Sequence, residues 1–224
     1  SQLQSRTVTS DEILVTGGGT GGITALLQTL LSPNDAIMLL APYWPLVAGA
    51  ARLAGATPIE VPYFQTGKTI EQQIETLNAA WQDHVKVLYI NTPNNPTGEV
   101  LTAQHLQALV DWARAKGIWI ISDEVYDLYS YQSDHTYLFP LAPERVISVY
   151  SMSKSFGMAG YRCGFLQGDP EVLNEVERVT THTLYSVPTA SQWAGMQAIQ
   201  GAGQAWARNA AVMYQQVGQE VAHM

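Results

Sequence analysis

The chain has 224 residues, 46% of them hydrophobic and only 13% charged, and its 11 Lys and Arg against 19 Asp and Glu leave a formal charge of −8. That composition fits a densely buried α/β enzyme better than a disordered or coiled-coil chain. The acidic balance argues against a nucleic-acid partner, which would need a basic face to displace counterions. Cys163 is the only cysteine, so neither an intrachain disulfide nor a cysteine-built zinc site can form, no metal is expected, and a reducing, cytoplasmic setting is. The longest apolar stretch is far short of the roughly 18 residues of a membrane span, and no basic-then-apolar leader opens the sequence, so no membrane partner is expected. Both ends look cut: Ser1 is not an initiator methionine, and an amphipathic pattern over 205–224 runs out with no stop signal.

In chain order, short apolar runs alternate with helical patterns, which predicts an α/β fold with a largely parallel sheet covered by helices. A strand is expected over 13–15, then the glycine cluster Gly17-Gly-Gly-Thr-Gly-Gly22 and a helix over 22–31. A continuous apolar strand follows over 36–40, a helix over 45–54, a strand over 57–61 and a helix over 70–81. The strand expected over 85–90 ends in the turn-rich stretch 91–98; Thr102 then opens a helix to about Lys116, with Gly117 as its stop. Strands over 118–122, 146–150 and 161–167 and a helix over 170–181 complete the pattern.

In such sheets ligands sit beyond the carboxyl ends of the strands. The unusual residues gather there: glycines after Val15, asparagines after Ile90, Asp123 after Ser122, and Lys154 after Tyr150. Four such ends suggest one shared site. Glycines at a helix start let the backbone approach an anion, and the first turn offers unpaired N–H groups. The cluster also reads formally as G-x-G-x-x-G, but a dinucleotide site wants an acidic residue ending the next strand, and Leu39-Leu-Ala-Pro42 has none. A phosphate loop or a merely tight turn remain as readings. The 91–98 stretch is either an ordinary loop or one whose side-chain amides reach a ligand.

Asp123 is expected to be partly desolvated and to need a cationic partner. It is either a cap or structural ion pair, or a carboxylate that holds a proton on a heterocyclic nitrogen, with Tyr126 aimed into the same pocket. Lys154 lies among uncharged neighbours, where desolvation would free its amine for Schiff-base chemistry. A lone lysine is most often a solvated surface residue, but the flanking serines and Arg162 add donors suited to a phosphate.

The ordered set Gly18-Gly-Thr20, Asn95-Pro-Thr-Gly98, Asp123-Glu-Val-Tyr126 and Ser151-Met-Ser-Lys154 with Arg162 resembles the class I/II aminotransferases, fold type I of the pyridoxal-phosphate enzymes. The resemblance runs from about Ile13 to the end of the chain. It implies a three-layer αβα large domain with a mostly parallel sheet over 1–175, and a linker with the beginning of a small C-terminal domain over 176–224. The implied cofactor is pyridoxal 5'-phosphate, held by Lys154 through a Schiff base, Lys154 then shuttling the substrate's Cα proton. Asp123 would keep the pyridine nitrogen protonated, and Asn95 and Tyr126 would hydrogen-bond the ring hydroxyl oxygen. Gly19, Thr20, Ser151 and Arg162 would hold the phosphate, with Gly18 shaping the turn. Trp44 would stack on the ring, with Tyr43 facing away.

The implied reaction moves an amino group between an amino acid and a 2-keto acid in a homodimer, to whose partner site the region of Tyr185 and Ser186 can contribute. The family's arginine for the substrate α-carboxylate belongs to the small domain, so the 224 residues alone are expected to be inactive. His182 stands where dicarboxylate-specific members carry an arginine, which argues against an aspartate-specific enzyme. The cofactor residues are shared with C–S lyases, cyclases and amino-acid oxidases on the same scaffold, and with sensing modules of transcription regulators. The sequence leaves these open.

Overall fold

The computed structural model describes residues 7–131 and 134–222. Seven strands, β1 (Ile13–Thr16), β2 (Ala36–Ala41), β3 (Thr57–Pro62), β4 (Val85–Asn91), β5 (Trp119–Asp123), β6 (Val146–Ser151) and β7 (Gly164–Gln167), form one sheet in the order β1-β7-β6-β5-β4-β2-β3. Strands β3, β2, β4, β5 and β6 are mutually parallel. Strand β7 runs antiparallel to both neighbours, β6 and β1. The helices are α1 (Gly18–Leu30), α2 (Leu46–Leu53), α3 (Ile70–Ala80), α4 (Ala103–Lys116), α5 (Pro170–Thr183), α6 (Thr189–Ala198) and α7 (Ala202–Ala222).

The central strands are continuously apolar because both faces of the sheet are covered. Side chains alternate sides along a strand, so Val87 and Tyr89 of β4 join one core while Leu88 and Ile90 join the other. The first core is closed by Ile23, Leu26 and Leu27 of α1, Val47 and Ala51 of α2, and Leu173 and Val176 of α5. The second is closed by Leu77 of α3 and Leu106, Leu109 and Val110 of α4. Each fully buried Leu, Ile or Val stabilises the fold by roughly 1.5–3 kcal/mol before ordering entropy is subtracted. The result is a three-layer αβα fold with a mostly parallel sheet, as the sequence predicts.

Helix α1 begins at Gly18, four residues before the predicted start, because the glycines themselves form its first turn. The strand expected over 161–167 begins only at Gly164. The chain must reverse between β6 and β7, so Ala159–Tyr161 form a 3-10 turn and Arg162 takes a left-handed conformation, φ 51°. Gly117 ends α4 at φ 70°. Asp169 caps α5 by accepting from the N–H groups of Glu171 and Val172 at 2.8 and 3.4 Å, with Pro170 as the first helical residue. The helix expected over 205–224 starts at Ala202 and reaches Ala222; its expected last two residues, and Ser1, lie outside the described residues. Among the described residues no helix is long and apolar enough to cross a membrane, and no group of three or more His, Cys, Asp and Glu side chains could hold a metal.

Candidate active site at the carboxyl edge of the sheet

Two reversals of direction leave β1 running the same way as β4, β5 and β6, so the carboxyl ends of all four open on one edge. Asp123 ends β5 and is 4% exposed. Its Oδ2 accepts from the Tyr89 hydroxyl at 2.5 Å and its Oδ1 from the Val125 N–H at 3.3 Å. Burial pushes the carboxyl up to about 6; the Tyr89 and Val125 hydrogen bonds and the nearby Lys154 charge pull the other way.

Asn91 ends β4 directly beside Asp123 in the parallel register. Its Nδ2 donates to the Asp123 carbonyl at 3.0 Å, and its Oδ1 accepts from the Asn95 N–H at 2.7 Å. That bond turns the loop back over the sheet edge, where Asn95 Nδ2 donates to the Tyr126 hydroxyl at 3.4 Å. The Lys154 amine stands over the Tyr126 ring, 5.4 Å from its centroid. Asp123, Asn95, Tyr126 and Lys154 thus meet on one edge.

Lys154 itself is exposed, which corrects the desolvated setting its uncharged sequence neighbours predict. Those neighbours are not the neighbours of its amine in space. Phe156 and Met158 turn down to pack on Met152, Cys163 and Val187, and the lysine projects from the turn above them.

The glycine cluster opens α1 at the same edge. Its N-cap is Gly17, which has no side chain to offer the first turn. A Cβ on Gly18, whose φ is 78°, would stand 2.8 Å from Arg162 Nη2, and one on Gly19 would stand 3.5 Å from the Ser151 Cβ. Arg162 donates to the carbonyls of Ala159 and Gly17 at 2.8 and 3.2 Å, and among the described residues no carboxylate pairs with it. The start of α1, the Arg162 guanidinium and the Ser151 side chain therefore lie close together, donors and charge of the kind that suit an anion. Thr20 is exposed in the first turn of α1. Trp44 follows β2 on the same edge, half-buried against the α1 face of the core. Tyr43 turns its hydroxyl to Glu60 of β3 at 2.5 Å.

Two further groups lie outside the motif residues. His182, in the last turn of α5, donates from Nδ1 to the Arg178 carbonyl at 2.7 Å and lines a shallow groove with Gln28 and Thr29. Tyr185 just beyond is 80% exposed, with φ 69°.

A second polar cluster, outside the motif residues, lies beneath the site. Glu124 is 1% exposed, and its Oε1 accepts from Ser122 Oγ and Ser148 Oγ at 2.8 Å and from the Leu138 N–H at 3.2 Å. Its Oε2 meets the Tyr150 hydroxyl and His135 Nε2, both at 3.2 Å. Asp127 accepts from Tyr137 and Ser155, and the Tyr129 hydroxyl donates to the Lys154 carbonyl at 3.0 Å. The available signal was Ser122 and Ser148 inside apolar strands, since buried hydroxyls require partners. Tyr89 has no signature in the sequence beyond that of one more apolar residue in β4.

The sequence matches the family Aminotransferase class I and II over residues 4–222. The chain is 35% identical over 192 residues to a probable aspartate/prephenate aminotransferase of Thermus aquaticus, covering 86% of this chain and 50% of that protein. It is 32% identical over 191 residues to aromatic-amino-acid aminotransferase 2 of Thermococcus litoralis, covering 84% and 49%. Among solved structures, a tetra mutant of Thermus thermophilus aspartate aminotransferase complexed with tryptophan superposes with a TM-score of 0.89 at 31% identity, over 95% of this chain and 56% of that one. The chain thus spans about half the length of the curated relatives it matches. With the family match extending over nearly every residue, and the fold shared as well, the chain belongs to the class I and II aminotransferases.

Proposed function

We propose that this chain is the cofactor-binding part of a pyridoxal-phosphate-dependent transaminase that moves an amino group between an amino acid and a 2-keto acid. The observation that carries the reading is the meeting, on one sheet edge, of a buried carboxylate, the Lys154 amine over the Tyr126 ring, and a glycine-opened helix start beside Arg162. The donor set suits the cofactor group by group. Gly19, Thr20, Ser151 and Arg162 would hold its phosphate, and Gly18 leaves room for the guanidinium beside it. Asn95 Nδ2 and the Tyr126 hydroxyl, already bonded to each other, would take the ring hydroxyl oxygen. Trp44 would cover a ring face.

When bound, the cofactor supplies an electron sink for the charge left on an amino acid's Cα after its proton is lost. The chain's own residues do the rest. Asp123, with its carboxyl near 6, is mostly ionised at neutral pH and would hold a proton on the ring nitrogen. Lys154 would anchor the cofactor covalently, and its Nζ, once displaced by substrate, would take the Cα proton and return it. We read 1–175 as the cofactor-binding domain and 176–224 as the linker and start of a small domain. A homodimer is supported by apolar side chains left exposed at Tyr161, Leu184, Tyr185 and Trp193. A cytoplasmic setting is supported by the single cysteine.

The test uses the full-length protein. Added pyridoxal 5'-phosphate should give a visible absorbance band that is lost in Lys154→Ala, and amino acid turnover should require an added 2-keto acid. Ammonia release without a keto acid would instead mark a lyase or oxidase. A lysine-dependent band with no turnover of any amino acid would mark a sensing module.

A further inference from the structure

We propose that Tyr89 is a positioning residue for Asp123: from the neighbouring strand, its hydroxyl fixes the plane of the carboxylate and sets how firmly that carboxylate holds the cofactor's ring nitrogen. The inference rests on the reading of Asp123 as the partner of that nitrogen.

Four observations carry it. First, the contact is direct, 2.5 Å from the Tyr89 hydroxyl to Asp123 Oδ2. Second, the other carboxylate oxygen is held separately by the Val125 N–H, so two donors on two elements determine the carboxylate's orientation. A single donor would leave the group free to turn about Cβ–Cγ. Third, both partners are buried, Tyr89 at 1% and Asp123 at 4% exposure, where a hydrogen bond to a charged group is strong and an unmade one is costly. Fourth, Tyr89 sits in the apolar run Val-Leu-Tyr-Ile of a central strand, facing the α1 core with Val87 and Ile121. Packing there would be served by phenylalanine, and the hydroxyl's partner is the site carboxylate.

The hydroxyl is a permanent donor. Burial, and then the Asp123 charge, push its ionisation well above the usual tyrosine range. Asp123 therefore stays an acceptor toward Tyr89 while its remaining acceptor capacity is left for a ligand. The groups acting on the Asp123 carboxylate are Tyr89 of β4, the Val125 N–H, Glu124 beside it, and Lys154 beyond.

The decisive variant is Tyr89→Phe in the full-length protein, which removes one oxygen and keeps the ring in the core. The dissociation constant for pyridoxal 5'-phosphate is expected to rise about tenfold, the worth of one hydrogen bond to a charged group. Inorganic phosphate, which needs only the Gly18–Arg162 end, should compete equally well in wild type and variant. In the cofactor-free protein, the Asp123 carboxyl followed by carbon NMR should titrate at higher pH in the variant, because the charged form has lost a donor. Equal cofactor affinity with an unchanged Asp123 titration would overturn the proposal. A loss of phosphate affinity matching the loss of cofactor affinity would also overturn it, since it would show a general distortion. If Tyr89→Phe does not fold, replacing Tyr89 by fluorinated tyrosines keeps the shape while grading the hydroxyl's acidity. The Asp123 titration should then move downward step by step, and a flat series would overturn the proposal. The reading of Asp123 is judged apart from all this. If it fails, wild type and Asp123→Asn will bind the cofactor alike, whatever Tyr89 does to the Asp123 titration.

Discussion

At the scale of single residues, the site is built on a conflict between burial and charge at Asp123. Its carboxyl titrates near 6 when folded against 3.8 as an ordinary side chain, because desolvation outweighs the donors around it. A raised acid contributes stability that is fully present below about 3.8 and is lost as the pH climbs through about 6. The cofactor-free protein should therefore gain from Asp123→Asn, by an amount that grows with pH. Denaturation of both proteins from pH 4 to 7 should show the difference rise by about 2 kcal/mol. A difference that stays flat across this range would refute the assignment. At Gly18 the conflict is steric. Gly18→Ala puts a Cβ 2.8 Å from Arg162 Nη2 in a left-handed backbone, so it should lower stability by about 1–2 kcal/mol and weaken phosphate binding, as calorimetry with inorganic phosphate would read. These residues were legible in the sequence because glycine, a strand-end aspartate and an arginine each have few reasons to stand where they do. The solvent exposure of Lys154 was not, since uncharged neighbours along a chain need not surround an amine in space. Nor was the bond from Tyr89 to Asp123, which joins residues 34 apart through strand pairing.

At the scale of elements, legibility followed periodicity. Continuous apolar runs flanked by turn formers gave the strands β2, β4, β5 and β6 to within a residue or two, since burial on both faces leaves little other choice. The errors fall where the chain turns for tertiary reasons: the early start of α1 inside the glycines, and the late start of β7 after its reversal. Helix α5 shows how local chemistry fixes a boundary. Asp169 holds two otherwise unpaired N–H groups and Pro170 cannot extend the helix backward. Asp169→Ala should lower the midpoint of chemical denaturation by the equivalent of about 1 kcal/mol, within a range of about 0.5–2. At the other end Tyr185 takes a left-handed conformation while its N–H donates to the Thr180 carbonyl at 2.9 Å. That position suits glycine or asparagine, so Tyr185→Asn should keep the helix end or tighten it slightly. A clear loss of thermal stability in that variant would show that the exposed ring has a role beyond the backbone turn.

At the scale of the molecule, two buried layers supply the bulk of the stability, while Glu124 ties separate parts together. It joins β5, through Ser122, to β6, through Ser148 and Tyr150, and to the segment carrying His135 and Leu138. Glu124→Ala would strand those donors without water, so a loss of about 3–5 kcal/mol in denaturant unfolding is expected. The antiparallel strand β7 has a different consequence, which concerns tolerance to changes in chain length. Because β7 doubles back on β6, Lys154 and Arg162 stand on a single reversal of the backbone, pinned on both sides by the ladder pairs of Ser151 with Gly164 and Tyr150 with Phe165. An added or deleted residue between them cannot be absorbed by sliding either strand without turning its side chains to the wrong face. Loops elsewhere on the surface, such as the turn at Gly67, where nothing lies within 4 Å of an added Cβ, carry no such constraint. Related chains can therefore be expected to vary in length at the second kind of place and to keep the count of residues fixed in the first.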